Sequence, residues 1–134
     1  MVKQISIFTE NRKGAMRSIT RLLAEGGIDI DAFVTNDSAE FGIVRMLVSD
    51  PDKASELLTQ AGYQIKRTAV MAFGIPDEPG SLDRLLECVE DANINIDYLY
   101  ASFDRESAGP IIVIRANDMD ELEHFLKSRG FRCK

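Results

Sequence analysis

The sequence contains no tryptophan, one histidine and two cysteines, and these scarcities exclude several kinds of chemistry. Cys88 and Cys133 cannot form a multi-bridge disulfide framework, and neither belongs to a CxxC pair or another metal-ligand spacing. We expect two buried structural thiols and no metal site. His124 falls on the helix face opposite the apolar side chains, so no buried histidine activates a serine or cysteine nucleophile. No P-loop or dinucleotide fingerprint occurs, and the sequence predicts neither an enzyme nor a cofactor.

Long apolar runs and clusters of positive charge are also missing. No apolar segment approaches the ~20 residues that span a bilayer, and the first four residues lack the apolar stretch of a signal peptide. These features predict a cytoplasmic protein without a membrane partner. The net charge is −6, and a phosphate backbone is bound through concentrated lysine and arginine. Nucleic acid is therefore a disfavoured partner.

The two halves of the sequence repeat one pattern. Shifting the sequence by 66 residues pairs Gly14 with Gly80, and further positions match in the same register: Ile19 with Leu85, Leu23 with Val89, Ile28 with Ile94, Ile30 with Ile96 and Asp31 with Asp97. A two-residue insertion within residues 37–40 or 104–108 changes the shift to 68 residues, and the later matches include Ile43 with Ile111, Leu58 with Leu126, Gly62 with Gly130 and Tyr63 with Phe131. We interpret residues 1–67 and 68–134 as two copies of one unit.

Each half predicts the order strand, helix, strand, strand, helix, strand. Ile5 and Ile7 alternate as in a strand, and the next apolar residues recur at helical spacing. Asp50 followed by Pro51 indicates the start of a second helix, and Gly62 suits its end. The order βαββαβ predicts an α+β protein of two ferredoxin-like units in tandem, each an antiparallel sheet with its helices on one face. Only residues 66–68 separate the predicted units.

The loop between the first strand and the first helix ends in glycine in both units. It covers residues 10–14 in the first unit and 77–80 in the second. Glycine permits close backbone approach, and the free N–H groups at a helix start favour a carboxylate or phosphate. The alternative is structural: glycine makes a tight turn, and Asn11 or Asp77 caps the helix.

These motifs together resemble the ACT domain family. The resemblance rests on an Asn-x-x-Gly or Asp-x-Pro-Gly loop, an amphipathic helix, and a strand that starts Gly-Ile-Asp-Ile or Asn-Ile-Asn-Ile. It covers essentially the whole chain, twice. It implies regulatory modules that commonly bind an amino acid between two paired units, at the first loop of one unit and the second strand of the other.

The resemblance also implies a set of ligand-binding residues. The matching positions are Asn11, Gly14 and Asp29 in the first unit and Asp77, Gly80 and Asn95 in the second. If the units pair as in the family, Asn11 and Gly14 face Asn95. Asp77 and Gly80 then face Asp29, and the two sites are not equivalent.

The two predicted sites differ in charge. The first offers N–H donors and neutral oxygens, which suit a free amino acid. The second gathers the carboxylates of Asp77 and Asp29, which repel an anionic ligand, so it is the weaker candidate. The first loop has Lys13 where the family usually has proline, as the second loop has at Pro79. Arg12 and Lys13 either attract a carboxylate or are solvated surface charges.

The sequence thus predicts a non-catalytic sensor that binds a free amino acid and regulates a separate partner as a homodimer. One alternative is a ligand-free dimerisation or assembly module that uses an exposed edge strand. A more remote one is an acylphosphatase-like small hydrolase, for which Arg12 is the only indication.

Overall fold

A computed structural model describes residues 1–36, 41–103, 106 and 109–134 of the chain. The elements are, in order, β1 (Val2–Glu10), α1 (Ala15–Glu25), β2 (Ile30–Asn36), β3 (Phe41–Val48), α2 (Pro51–Gln60), β4 (Gln64–Gly74), α3 (Ser81–Asp91), β5 (Ile96–Phe103), β6 (Pro110–Ala116), α4 (Met119–Ser128) and β7 (Arg132–Cys133). This order confirms the predicted pattern of strands and helices. Of the two stretches proposed for the two-residue insertion, residues 37–40 lie wholly outside the described residues, and so do residues 104–108 except residue 106.

The chain divides into two compact units, one of Lys3–Thr68 and one of Met1–Val2 with Ala69–Lys134. In the first unit the strand order is β2-β3-β1-β4, and β3 runs antiparallel to both of its neighbours. Ile7 lies opposite Val44, and Ile5 lies opposite Met46. Paired side chains point to the same face of a sheet, so these four residues form one apolar surface, which α1 and α2 cover.

The second unit repeats this arrangement. Its strand order is β5-β6-β4, with β7 on the other side of β4, and all of these pairs are antiparallel. Met71 lies opposite Ile114, and their side chains pack in one core with Leu85 of α3 and Leu122 of α4. Both units therefore have the ferredoxin-like fold that the sequence predicts.

The predicted junction between the units is part of a strand. Residues 66–68 lie inside β4, which contains residues of both units. The segment from Gln64 to Phe73 has no glycine or proline, the residues that most readily interrupt a strand. The chain therefore continues in extended conformation where a short separator was expected.

The helices begin at equivalent places in the two units. The carboxylate of Asp50 accepts a hydrogen bond from the amide of Lys53 at 3.1 Å, and that of Asp118 accepts one from Glu121 at 3.0 Å. These are N-caps of α2 and α4. The cap predicted at Asp50 is confirmed.

The two cysteines differ from the expectation of buried thiols. Cys88 and Cys133 are free and only partly buried, at the margin of the second core. Cys88 is half-buried because its side of α3 borders a groove on the second unit. His124 is exposed, as expected. None of the described helices is long and apolar enough to cross a membrane.

Candidate functional site

The first loop ends in a glycine that adopts a left-handed conformation. Gly14 has φ 82° and ψ −3° and stands at the N-cap position of α1. The first bond within the helix runs from the Ser18 amide to the Gly14 carbonyl at 3.0 Å. The amides of Met16 and Arg17 lie ahead of that bond and have no acceptor inside the helix. Together with the positive end of the helix dipole, they favour an anionic group.

A cavity of about 530 Å³ lies beside this helix start. Its walls come from the loop, the first turn of α1 and the adjoining ends of β2 and β3: Thr9, Glu10, Asn11, Arg12, Gly14, Ala15, Met16, Arg17, Thr35, Gly42, Ile43 and Val44. The volume is within the range of small-molecule sites, about 300–1,000 Å³. Polar groups border one side of it, and Met16 and Val44 provide apolar surface.

The charged side chains of the first loop are exposed. The side chain of Arg12 is 75% exposed, and its Nε lies 3.7 Å from Oε2 of Glu10. That distance is too long for a hydrogen bond, so the guanidinium can still donate to an incoming carboxylate. Lys13 borders a neighbouring cavity of about 430 Å³, which Arg12 and Gly14 also line.

The predicted residue Asp29 lies at the other end of the first unit. It precedes β2, and its backbone exchanges two hydrogen bonds of 2.9 Å with Ser49. The cavity beside Gly14 instead meets β2 near its end, at Thr35. The structure therefore does not bring Asp29 to the first loop. The family resemblance places Asp29 opposite the second loop, and that pairing stays a prediction.

Asn95 has the equivalent position in the second unit. It precedes β5, its amide donates to Oδ1 of Asn117 at 3.1 Å, and its carbonyl accepts from the Asn117 amide at 3.1 Å. Both bonds use the backbone of Asn95, and the residue as a whole is exposed. Its proposed role opposite Asn11 and Gly14 also stays a prediction.

The second loop contains an ion pair of its own. Gly80 has φ 89° and ψ −7°, as at Gly14. However, Nη2 of Arg84 lies 2.8 Å from Oε1 of Glu78 and 3.3 Å from Oγ of Ser81, and a Cβ at Gly80 would lie 3.7 Å from Nη1 of Arg84. Asp77 and the following residues of this loop are exposed. The guanidinium of Arg84 therefore lies against the helix start.

The repeat explains why the first loop differs. Ser18 stands at the position equivalent to Arg84, and Arg12 at the position equivalent to Glu78. The first loop therefore lacks this ion pair, and a Cβ at Gly14 would meet no atom within 4 Å. Pro79 of the second loop stands at the position equivalent to Lys13.

The capping alternative is wrong in one respect. Gly14 and Gly80, not Asn11 and Asp77, occupy the N-cap positions of α1 and α3. The helices begin only at the residues after these glycines, so the earlier polar residues lie too far upstream to be N-caps. The tight-turn part of that interpretation holds, because both glycines have positive φ.

Several residues of the cavity were missed from the sequence. Arg17 lies three residues after Gly14, and its place in the first turn of the helix was a usable signal. Thr35 and Val44 come from distant strands and carry no local signal. Among the described residues, no group of three His, Cys, Asp or Glu side chains is arranged to hold a metal ion.

Comparisons with known proteins identify the family. A model of the ACT domain pair matches residues 1–129. The crystal structure of protein BT0572 from Bacteroides thetaiotaomicron is 33% identical, with a TM-score of 0.92 over 99% of this chain and 91% of that one. No curated protein matches the sequence.

Two more distant structures share the fold. They are the regulatory subunits of aspartate kinase from Thermus thermophilus, in its ligand-free form, and from Thermus flavus, with TM-scores of 0.68 and 0.63. Each is 16% identical, and each match covers 94% of this chain and 90% of the other. The chain, with its two ferredoxin-like units, belongs to the ACT domain pair family.

Proposed function

We propose that this protein is a non-catalytic cytoplasmic sensor that binds a free amino acid at the first loop and regulates a separate partner. One observation carries the proposal: the helix start at Gly14 borders a cavity of about 530 Å³, whereas the equivalent start at Gly80 is approached by Arg84. The regulatory subunits of aspartate kinase named above share the fold, which supports a regulatory role.

The groups around the cavity match the three parts of an amino acid. Its carboxylate would accept hydrogen bonds from the amides of Met16 and Arg17 and from the guanidinium of Arg12. Its ammonium would donate to the oxygens of Glu10 and Asn11. An apolar side chain would pack against Met16 and Ile43. We therefore favour an apolar amino acid over an acidic one.

The second unit would complete the site. The family resemblance assigns Asn95 as the polar group opposite Asn11 and Gly14, and its amide would help to hold the ligand. The remaining cluster of Asp29, Asp77, Pro79 and Gly80 is the weaker site. Two carboxylates and the adjacent ion pair of Arg84 disfavour an amino-acid carboxylate there.

Regulation would arise by population shift. A ligand that contacts both units binds one of their arrangements better and so favours it. The favoured arrangement then presents a different surface to the partner. The coupling is reciprocal, so the partner is expected to change the affinity for the amino acid by the same factor.

The direct test is a thermal-shift screen of the protein against the twenty amino acids. A ligand at about 100 times its dissociation constant stabilises the folded state by about 2.7 kcal/mol. For a chain of this length, that raises the melting temperature by roughly 10 °C. A shift with one apolar amino acid or a related few supports the proposal, whereas no shift with any of them contradicts it.

A matched pair of variants then tests the location. Gly14→Leu places a side chain at the mouth of the cavity, and Gly27→Leu introduces the same backbone strain away from it, because Gly27 has φ 72° and also has nothing within 4 Å of an added Cβ. We expect Gly14→Leu to abolish the shift and Gly27→Leu to retain it. Equal ligand binding by both variants would rule out the first loop.

A ligand-free assembly module is the second candidate. Phe33 and Phe103 lie on the strands β2 and β5, each at one end of its unit's strand order, and are 58% and 66% exposed. Both strands also have a register shift, near Ile30 and near Ile96, and such bulges disfavour pairing at a sheet edge. Sedimentation with and without an amino acid mixture separates the candidates. An assembly module gives a dimer that ignores the mixture, and the sensor gives one that responds.

A further inference from the structure

The second unit has a groove of about 610 Å³ that is separate from the proposed amino-acid site. One wall is a face of α3, with residues spaced three or four apart from Arg84 through Cys88 to Asp91. The end of β4 with the two residues after it forms another wall, and residues 129–132, from the end of α4 to the start of β7, form the third. All of these residues belong to one compact unit.

Three arginines line this groove, Arg84, Arg129 and Arg132. Arg129 lies over the ring of Phe125, with 4.7 Å between Cζ and the ring centroid, a contact that orients its side chain. Its Nη1 is 3.8 Å from Oδ2 of Asp91, too far for a hydrogen bond. Arg129 therefore keeps donors for another acceptor.

The fold does not require these arginines. A corresponding groove of about 430 Å³ exists in the first unit, where Ser18, Gly62 and Gln64 line it. By the repeat, Ser18 and Gln64 are equivalent to Arg84 and Arg132, and Ala61 is equivalent to Arg129. The same strands and helices thus form in the first unit with no arginine at any of the three positions.

The concentration of arginine at this groove contrasts with the negative net charge of the chain. The net charge is −6, with 16 basic and 22 acidic residues, yet three arginines from two separate segments line one cavity. Planar guanidinium groups bind carboxylate and phosphate oxygens in pairs of parallel hydrogen bonds. Ile75 and Phe131 add apolar surface to the groove, and Cys88 places a thiol on its wall.

We propose that this groove binds a small molecule through an oxyanion group, a phosphate or a carboxylate, held by Arg129 and Arg132. Arg84 also borders the groove, but its ion pair with Glu78 leaves it fewer donors for the ligand. Glu87 and Asp91 also line the groove, and a bound oxyanion would compete with Asp91 for the guanidinium of Arg129, 3.8 Å from that carboxylate. The molecule's apolar part lies toward Ile75.

Alkylation of the groove thiol by iodoacetamide, a neutral reagent, provides the test. In a Cys133→Ser background, only Cys88 reacts. The rate is measured at constant ionic strength with added inorganic phosphate or, separately, succinate. An anion at about ten times its dissociation constant is expected to slow the reaction roughly tenfold by occupying the groove. Whichever of the two anions protects identifies the oxyanion group.

Two variants in the same background locate the effect. Arg129→Gln with Arg132→Gln removes the proposed donors and is expected to abolish protection. Arg21→Gln removes a surface arginine of the first unit, paired with Glu25, and is expected to leave protection intact. Unchanged rates with both anions, or equal protection of the double variant, would overturn the proposal.

A measurement without the thiol covers the case in which Cys88 reacts too slowly. The rise in melting temperature caused by phosphate or succinate is compared between the wild-type protein and the double arginine variant. A larger rise in the wild type supports the groove, and identical rises contradict it. In a Gly14→Leu background the difference between intact arginines and the double arginine variant is expected to persist, so failure of the amino-acid site and failure of this groove are distinguishable.

Discussion

Replacing Gly14 by alanine tests the backbone of the proposed site apart from any steric effect. Gly14 has φ 82°, and an added Cβ would meet nothing within 4 Å. The substitution therefore costs only the strain of a left-handed conformation in a residue with a side chain, about 1–2 kcal/mol. Gly27→Ala is the control, because Gly27 has φ 72° and equal free space.

The free-energy cost converts to a melting temperature. Unfolding entropy of about 2.1 cal/mol/K per residue gives roughly 0.3 kcal/mol/K for this chain, so each kcal/mol lowers the melting temperature by about 4 °C. Both glycine-to-alanine variants are thus expected to melt roughly 4–7 °C below the wild type. Thermal unfolding followed by circular dichroism measures this difference.

The two glycines nevertheless serve different purposes. Left-handed Gly27 ends α1 and allows the amide of Ile28 to reach the carbonyl of Leu23 at 2.9 Å. Gly14 begins the helix beside the cavity. A loss above about 3 kcal/mol at Gly14 alone would refute the reasoning, because strain in a single left-handed residue does not reach that size. Wild-type stability in both glycine-to-alanine variants would refute the reasoning as well.

Three further predictions concern the rest of the chain. Leu58→Ala and Leu126→Ala truncate fully buried, equivalent core residues. Each variant is expected to lose about 2–5 kcal/mol of unfolding free energy in denaturant unfolding. A loss of stability in only one of the two variants would contradict equivalent cores. Asp50→Ala removes the N-cap of α2 and is expected to cost about 1 kcal/mol in the same assay, while an unchanged midpoint would show that the cap is dispensable. The hydrogen bond from Lys127, at 2.7 Å, lowers the pKa of Glu123. The stabilisation that this carboxylate contributes is therefore lost as pH falls through the lowered pKa. Lys127→Gln is expected to raise the pKa of Glu123 in an NMR titration, and an unchanged pKa would refute the assignment.

Part of the candidate site was predictable because its signals are local. Glycine at the end of a strand-to-helix loop predicted the position of both helix starts, and the structure gives both glycines a positive φ. Asn11, Arg12 and Gly14 line one cavity as a consequence of their short separation in sequence. The apolar wall at Val44 belongs to β3, and only the pairing of β1 with β3 brings it near the loop.

The difference between the two loops has a signal in the sequence. The pairs Ser18 with Arg84 and Arg12 with Glu78 were visible in the repeat. Their meaning depends on a hydrogen bond of 2.8 Å between side chains six residues apart, and spacing alone does not predict such a bond. The carboxylates of Asp29 and Asp77 also make the second site the weaker one, because they repel an anionic ligand.

The sequence by itself determined the repeat, the order of strands and helices, and the apolar face of each helix, because these depend on residues within a few positions of one another. Only the tertiary structure decided that β4 continues through residues 66–68, and only it brought Arg84 and Arg132 to one groove. The physical reason is the same in both cases. Strand pairing and packing join segments that are far apart in the chain, and no local pattern specifies where distant side chains meet.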